Sequence, residues 1–175
     1  ITRGLQVLGV NLGNNLSIAM ENVNAKGFWE DVDINAFNIE ILHAIDSEWD
    51  FLTPITEANI QRLQQEGFFL RAVELLRNKV AQTHIFGLKD PRIAKLLPFW
   101  DQVFTHCNFE VSYLLTIRHP LSVVKSLQKR DGFVAEKAYL LWFTHVVAAL
   151  NFSSKRNLSL VDYDFFMQNP ADELH

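Results

Sequence analysis

The sequence of 175 residues contains a single cysteine, Cys107. One thiol cannot close an internal disulfide, which fits a reducing compartment, and the scattered histidines show no metal-ligand spacing. The longest apolar stretch, residues 138–150, carries His145 and is too short to span a bilayer, so it reads as a core helix. No Gly-Lys-Ser/Thr occurs, so the lysine of a Walker loop is missing. The 16 basic and 20 acidic residues leave a net charge of −4, which argues against a broad nucleic-acid footprint but leaves room for a local basic pocket. Internal repeats, low-complexity segments and linkers are lacking, as is a signal-peptide pattern. Asn15-Leu16-Ser17, Asn151-Phe152-Ser153 and Asn157-Leu158-Ser159 match the glycosylation triplet, but without secretory evidence they read as chance. These absences lead us to expect a cytoplasmic protein with no membrane span, no nucleic-acid partner and no metal.

What is present points to a packed fold. Hydrophobic residues make up 49% and aromatics 12% of the chain, so disorder is excluded and one domain over residues 1–175 is expected. Residues 1–8 read as a helix stopped at Gly9, and residues 10–24 as an asparagine-rich loop. Asp33 is the expected cap of a helix through Phe37, Ile41, Leu42 and Ile45. Thr56 opens a longer helix that Gly67 divides. Three β-rich segments, at 83–89, 109–117 and 158–163, alternate with helical stretches at 93–100, 120–129 and 135–152. That alternation predicts βαβ units, parallel strands and helices on both faces of one sheet.

The most informative segment is Ile117-Arg118-His119-Pro120 with Ser122 and Ser126. Arg118 is expected at the carboxyl end of a strand, where open α/β sheets place ligands. Pro120 opens the next helix, and Ser122 and Ser126 share one of its faces. A guanidinium, two hydroxyls and a helix N-terminus suit a phosphate, although on spacing alone a surface ion pair is the plainer role for Arg118. Lys89-Asp90-Pro91-Arg92 forms a second charged turn, able to hold an anionic group or simply to close a strand end with salt bridges. Glu30, in Phe28-Trp29-Glu30-Asp31, has aromatic neighbours that would favour its protonated form and suit general-base work. Its alternative role is a capping carboxylate. Tyr163 could stack on a base, or be core.

Taken in order and spacing, these residues resemble the bacterial sulfotransferases that use 3′-phosphoadenosine-5′-phosphosulfate (PAPS), over essentially the whole chain. Arg118 and Ser126 are similar to that family's 3′-phosphate pair. Leu88-Lys89-Asp90-Pro91-Arg92, Leu97-Pro98-Phe99-Trp100, the stretch from Ser126-Leu127 to Arg130-Asp131-Gly132-Phe133, and Leu141-Trp142 resemble its bacterial branch. Val161-Asp162-Tyr163-Asp164 resembles the strand whose tyrosine approaches the adenine. The resemblance implies a three-layer α/β/α, P-loop NTPase-like fold with a mainly parallel sheet. It also implies transfer of a sulfuryl group from PAPS to a hydroxyl of a small molecule or glycan, without a metal. Glu30 would be the base, with Lys89, Asp90 and Arg92 beside the reacting groups. Arg118, Ser126, Ser122 and Tyr163 would bind the nucleotide.

The family's Arg-Ser-Gly-Thr-Ser type loop, which grips the 5′-phosphosulfate, does not occur. Residues 1–9 are similar to the helix that follows it, and a late glycine-and-lysine loop is absent as well. The chain is therefore expected to be incomplete at both ends; donor binding and catalysis are expected of the family and stay open for this stretch alone. Two rivals stand beside the sulfotransferase. One is a non-catalytic nucleotide-binding or scaffold protein of the same fold; the other is a P-loop kinase, against which the missing Gly-Lys-Ser/Thr counts. Neither the acceptor nor the oligomeric state is legible.

Overall fold

In the computed structural model, which describes residues 1–18, 27–81 and 83–168, the chain is mixed α/β and mostly helical, with one two-stranded parallel sheet. Its contacts divide it into two units: Thr2–Trp49 with Ile55–Phe109, and Ile1 with Asp50–Pro54 and Glu110–His175. Among the described residues no helix is long and apolar enough to cross a membrane.

The first unit is helical: α1 (Thr2–Val7), α2 (Val32–Ala44), α3 (Glu57–Gln65), α4 (Phe68–Val80) and α5 (Ile93–His106). Helix α2 buries Ile34, Phe37, Asn38, Ile41 and Leu42, a repeat of three and four residues that keeps one stripe inward. Its cap is Asp31, not the expected Asp33: Asp31 Oδ1 accepts from the N–H groups of Asp33 and Ile34 at 3.1 and 3.2 Å. Asp33 lies in the first turn. Thr56 and Asn59 form a reciprocal capping box on α3. Gly67, at φ +83°, separates α3 from α4, as the sequence suggested.

Helix α5 runs past the expected 93–100 to His106, through Pro98. An interior proline costs about 3 kcal/mol. Leu96, Leu97, Phe99, Trp100 and Val103 are all buried on this helix, at roughly 1.5–3 kcal/mol each, and that gain outweighs the proline. Trp100, with no exposed surface, lies edge-on to Phe37 at 6.1 Å and joins α5 to α2.

The expected strand over 83–89 is reduced to one parallel bridge, Asn11 to Phe86. Asn11 donates its N–H to Ile85 O and accepts from Gly87 N–H. A Cβ at Gly87 would come within 2.8 Å of Val10 Cγ1 and 2.9 Å of Leu12 Cδ2, so this crossing depends on glycine. Of the expected loop, residues 10–18 carry only isolated bridges and residues 19–24 lie outside the described residues.

The second unit is one βαβ crossover followed by a short helix: β1 (Tyr113–Ile117), α6 (Pro120–Asp131), α7 (Ala135–Ser153), β2 (Leu158–Asp162) and α8 (Tyr163–Gln168). The strands pair in parallel, from Tyr113 opposite Leu158 to Ile117 opposite Asp162. Pro120 occupies the first turn of α6, and Gly132, left-handed at φ +70°, ends it. Strand β2 stops one residue short of Tyr163, because Asp162 Oδ1 accepts from Phe165 N–H at 2.9 Å and turns the chain into α8. Tyr163 is thus the first residue of a helix.

Candidate functional site

Two groups of side chains stand out, one in each unit. In the first unit the structure brings together Glu30, Lys89, Asp90 and Arg92, although about 60 residues separate the glutamate from the other three. The segment carrying Glu30 is clamped by an antiparallel bridge between Leu16 and Asp31, in which Ser17 N–H donates to Glu30 O at 2.8 Å. Just before it, Trp29 holds a left-handed backbone at φ +56°, an uncommon conformation for a bulky residue. The Lys89-Asp90-Pro91-Arg92 turn leads into α5, with Ile93 N–H donating to Asp90 O.

Glu30 is 6% exposed. Lys89 Nζ donates to its Oε1 and, at 3.1 Å, to Phe28 O; Asn35 Nδ2 donates to its Oε2 at 2.9 Å. Polar partners therefore meet the carboxylate where the sequence suggested aromatic ones. The capping role falls to its neighbour Asp31, which leaves Glu30 outside the helix terminus.

Asp90 has a wholly buried side chain. Its Oδ1 accepts from the backbone N–H of Arg92 (2.9 Å) and from the Arg92 guanidinium (3.0 Å). Its Oδ2 accepts from Asn38 Nδ2 (3.1 Å) and Asn35 Nδ2 (3.3 Å). Asn38 in turn accepts from Trp100 Nε1 at 2.9 Å. Two carboxylates and two cations balance within the cluster. Lys89 is its most open member, with 37% of its side chain exposed.

Asn35 and Asn38 were not singled out by sequence reasoning, whereas Trp100 entered with the Leu97-Pro98-Phe99-Trp100 segment. A signal was present for Asn38, a polar residue on the stripe of Ile34, Phe37 and Ile41, where burial demands a hydrogen-bond partner.

In the second unit Arg118 follows β1 directly, at the strand's carboxyl end as expected, and is exposed. Its guanidinium lies over the Tyr163 ring, 5.1 Å from the centroid, a cation–π contact. Its carbonyl accepts from Trp142 Nε1 at 3.1 Å. The backbone N–H of His119 donates to Asp164 Oδ2 at 2.9 Å, which ties the end of β1 to the start of α8. Ser122 is half-buried in the first turn of α6, and Ser126 is exposed one turn on. Arg118 and Tyr163 are brought together by contact, while the two serines share a helix face.

Comparison of the chain with protein-family models, curated proteins and solved structures finds no match.

Proposed function

We propose that this chain belongs to a sulfotransferase that moves a sulfuryl group from PAPS to a hydroxyl of a small molecule or glycan. The observation that carries the reading is the meeting of Glu30 with Lys89 in a cluster anchored by Asp90 and Arg92. In the reaction, an acceptor oxygen forms a bond to sulfur as the bond from sulfur to the 5′-phosphate oxygen breaks. The acceptor proton passes to Glu30, and the nucleotide leaves with the electron pair. Glu30 retains unused lone pairs for that proton, since each carboxylate oxygen can accept more than one hydrogen bond. Proton removal by such a base contributes roughly 10²–10⁴-fold. Lys89, partly exposed, is suited to neutralise charge developing beside it, and Arg92 and Asp90 hold the turn that presents it.

For the nucleotide, Arg118 and the hydroxyls of Ser122 and Ser126 are assigned to the 3′-phosphate, and Tyr163 to the adenine. A second reading, a non-catalytic binder of the same nucleotide, draws on the complete internal pairing of the four charged residues. Titration of adenosine 3′,5′-bisphosphate and adenosine 5′-monophosphate into the full-length protein tests the binding half of the proposal. The bisphosphate should bind more tightly, and Arg118→Ala should weaken it by about 1.5–3 kcal/mol, the range for a charged hydrogen bond. Equal affinity for both nucleotides would refute the assignment. Bisphosphate binding without sulfate transfer to any hydroxyl acceptor would leave the non-catalytic reading.

A further inference from the structure

The Asn35 side chain touches both carboxylates of the cluster. Its Nδ2 carries two hydrogens and has two carboxylate oxygens in reach, Glu30 Oε2 at 2.9 Å and Asp90 Oδ2 at 3.3 Å. Asp90 is the fixed end of this link, because its side chain is wholly buried and Arg92 holds its other oxygen. Glu30 is the end nearer to solvent, and its other oxygen is held by Lys89, the most open residue of the group. We infer that Asn35 is a positioning residue, whose amide fixes the Glu30 carboxylate to the buried Asp90 anchor so that one oxygen edge keeps its direction when Lys89 moves to meet an anionic group.

The inference rests on the reading of Glu30 as the proton acceptor, and the geometry behind it is specific. A carboxylate held only by a flexible lysine would turn as that lysine changed partner. A planar amide held on helix α2 restricts that turning, since both of its hydrogens are committed in fixed directions. Asn38 supplies an internal comparison. It donates to the same Asp90 oxygen at 3.1 Å but makes its other bond to Trp100, so its loss disturbs the anchor without touching Glu30.

The test is a set of four variants of the full-length protein: Asn35→Leu, Asn38→Leu, Glu30→Gln and the double variant Asn35→Leu/Glu30→Gln. Asn35→Leu should lower kcat by roughly tenfold, the scale of a small misplacement of a catalytic group, while KM for PAPS stays within about twofold. Asn38→Leu should lower the melting temperature and lower kcat by much less than Asn35→Leu does, because Asp90 keeps its bonds to Arg92 and Asn35 and the link to Glu30 is intact. In the Glu30→Gln background Asn35→Leu should produce no further fall, because the group it positions is already disabled. An additive fall, or an equal fall in kcat for Asn38→Leu, would mean a merely structural role and overturn the inference.

A measurement without turnover separates this from failure of the sulfotransferase reading. In the nuclear magnetic resonance spectrum, the side-chain amide protons of Asn35 should shift on Glu30→Gln, and those of Asn38 should not. That shift together with an absence of sulfate transfer would refute the enzyme and retain the link. Unmoved Asn35 amide protons would refute the link itself, whether or not the protein transfers sulfate and whether or not Asn35→Leu folds.

Discussion

Replacing Asp90 by alanine should be among the most damaging single substitutions in the first unit. Its carboxylate has no exposed surface and accepts four hydrogen bonds, from Arg92 twice, Asn35 and Asn38. Asn38 is wholly buried, so its freed N–H has no water to turn to, a loss of about 1–3 kcal/mol. The Arg92 backbone N–H loses a cap-like acceptor at the start of α5, about 1 kcal/mol. The Arg92 guanidinium keeps 21% of its side chain in solvent, so its lost ion pair is only partly compensated. Together these give about 3–5 kcal/mol, the range found when one partner of a buried pair is removed.

Urea unfolding followed by far-ultraviolet circular dichroism measures it, as a midpoint lower by roughly 2 M at an unchanged slope. Arg62→Ala is the control: its pairs with Asp46 and Glu66 are exposed, and exposed pairs are worth about 0–1 kcal/mol. If Asp90→Ala lost no more stability than Arg62→Ala, the carboxylate would not be the anchor described above.

Two further expectations concern the turn before α2. Lys79 contacts Asp31 at 2.8 Å and Asp33; burial alone would lower the lysine pKa, but its hydrogen bonds to Asp31 and Asp33 outweigh burial and raise it. The hydrogen bond from Lys79 also holds Asp33 below the usual carboxylate range. The stability from the lysine is present below its ordinary value of about 10.4 and is lost as pH rises through its raised value. That from the aspartate is present above about 3.9 and is lost as pH falls through its lowered value. Lys79→Met should therefore lower the melting temperature by about 2–4 °C near neutral pH, and the gap should narrow as pH falls below 4; a gap constant into acid would refute the pairing. Gly13→Ala should destabilise more than Gly9→Ala, because a Cβ at Gly13 would sit 2.2 Å from Asp31 Oδ2 whereas none lies within 4 Å at Gly9. Both glycines have positive φ and share that strain of about 1 kcal/mol, so equal melting temperatures would refute the steric argument.

Local signals in the sequence translated well where the physics was local. Gly67 and Gly132 end helices because their left-handed backbones cannot continue them, and the crossover from β1 to β2 followed from apolar periodicity and Pro120. Less legible was anything decided by tertiary context. Residues 83–89 have strand composition, yet among them only Phe86 pairs, in the bridge to Asn11. The segment expected over 93–100 continues as a helix to His106, because its buried face outweighs the interior proline. Asp31 is the cap because the helix starts at Val32, directly before Asp33, a boundary the sequence leaves open by a residue or two. For the candidate site, charge clusters at 89–92 and Glu30 were readable as separate features. Their union was not, because the Lys89–Glu30 pair joins residues 59 positions apart and the Asn35–Asp90 bond residues 55 apart, a proximity that only the tertiary fold creates.

The division of labour between the two carboxylates bears on how such a site would work. A base must be able to lose and regain a partner, and an anchor must not. Asp90, wholly enclosed and held by four donors, has the second character; Glu30, linked to a half-open lysine and one amide, has the first. The backbone immediately before Glu30 adds weight to that contrast. Trp29 at φ +56° stores of order 1–3 kcal/mol of strain, and such strain persists only where surrounding bonds over-determine it. Here those bonds are Ser17 N–H to Glu30 O and Lys89 Nζ to Phe28 O, one on each side of Trp29. Lys89 therefore helps hold the strained turn as well as pairing with Glu30. On the function proposed above, an anion that drew Lys89 away would release both contacts at once.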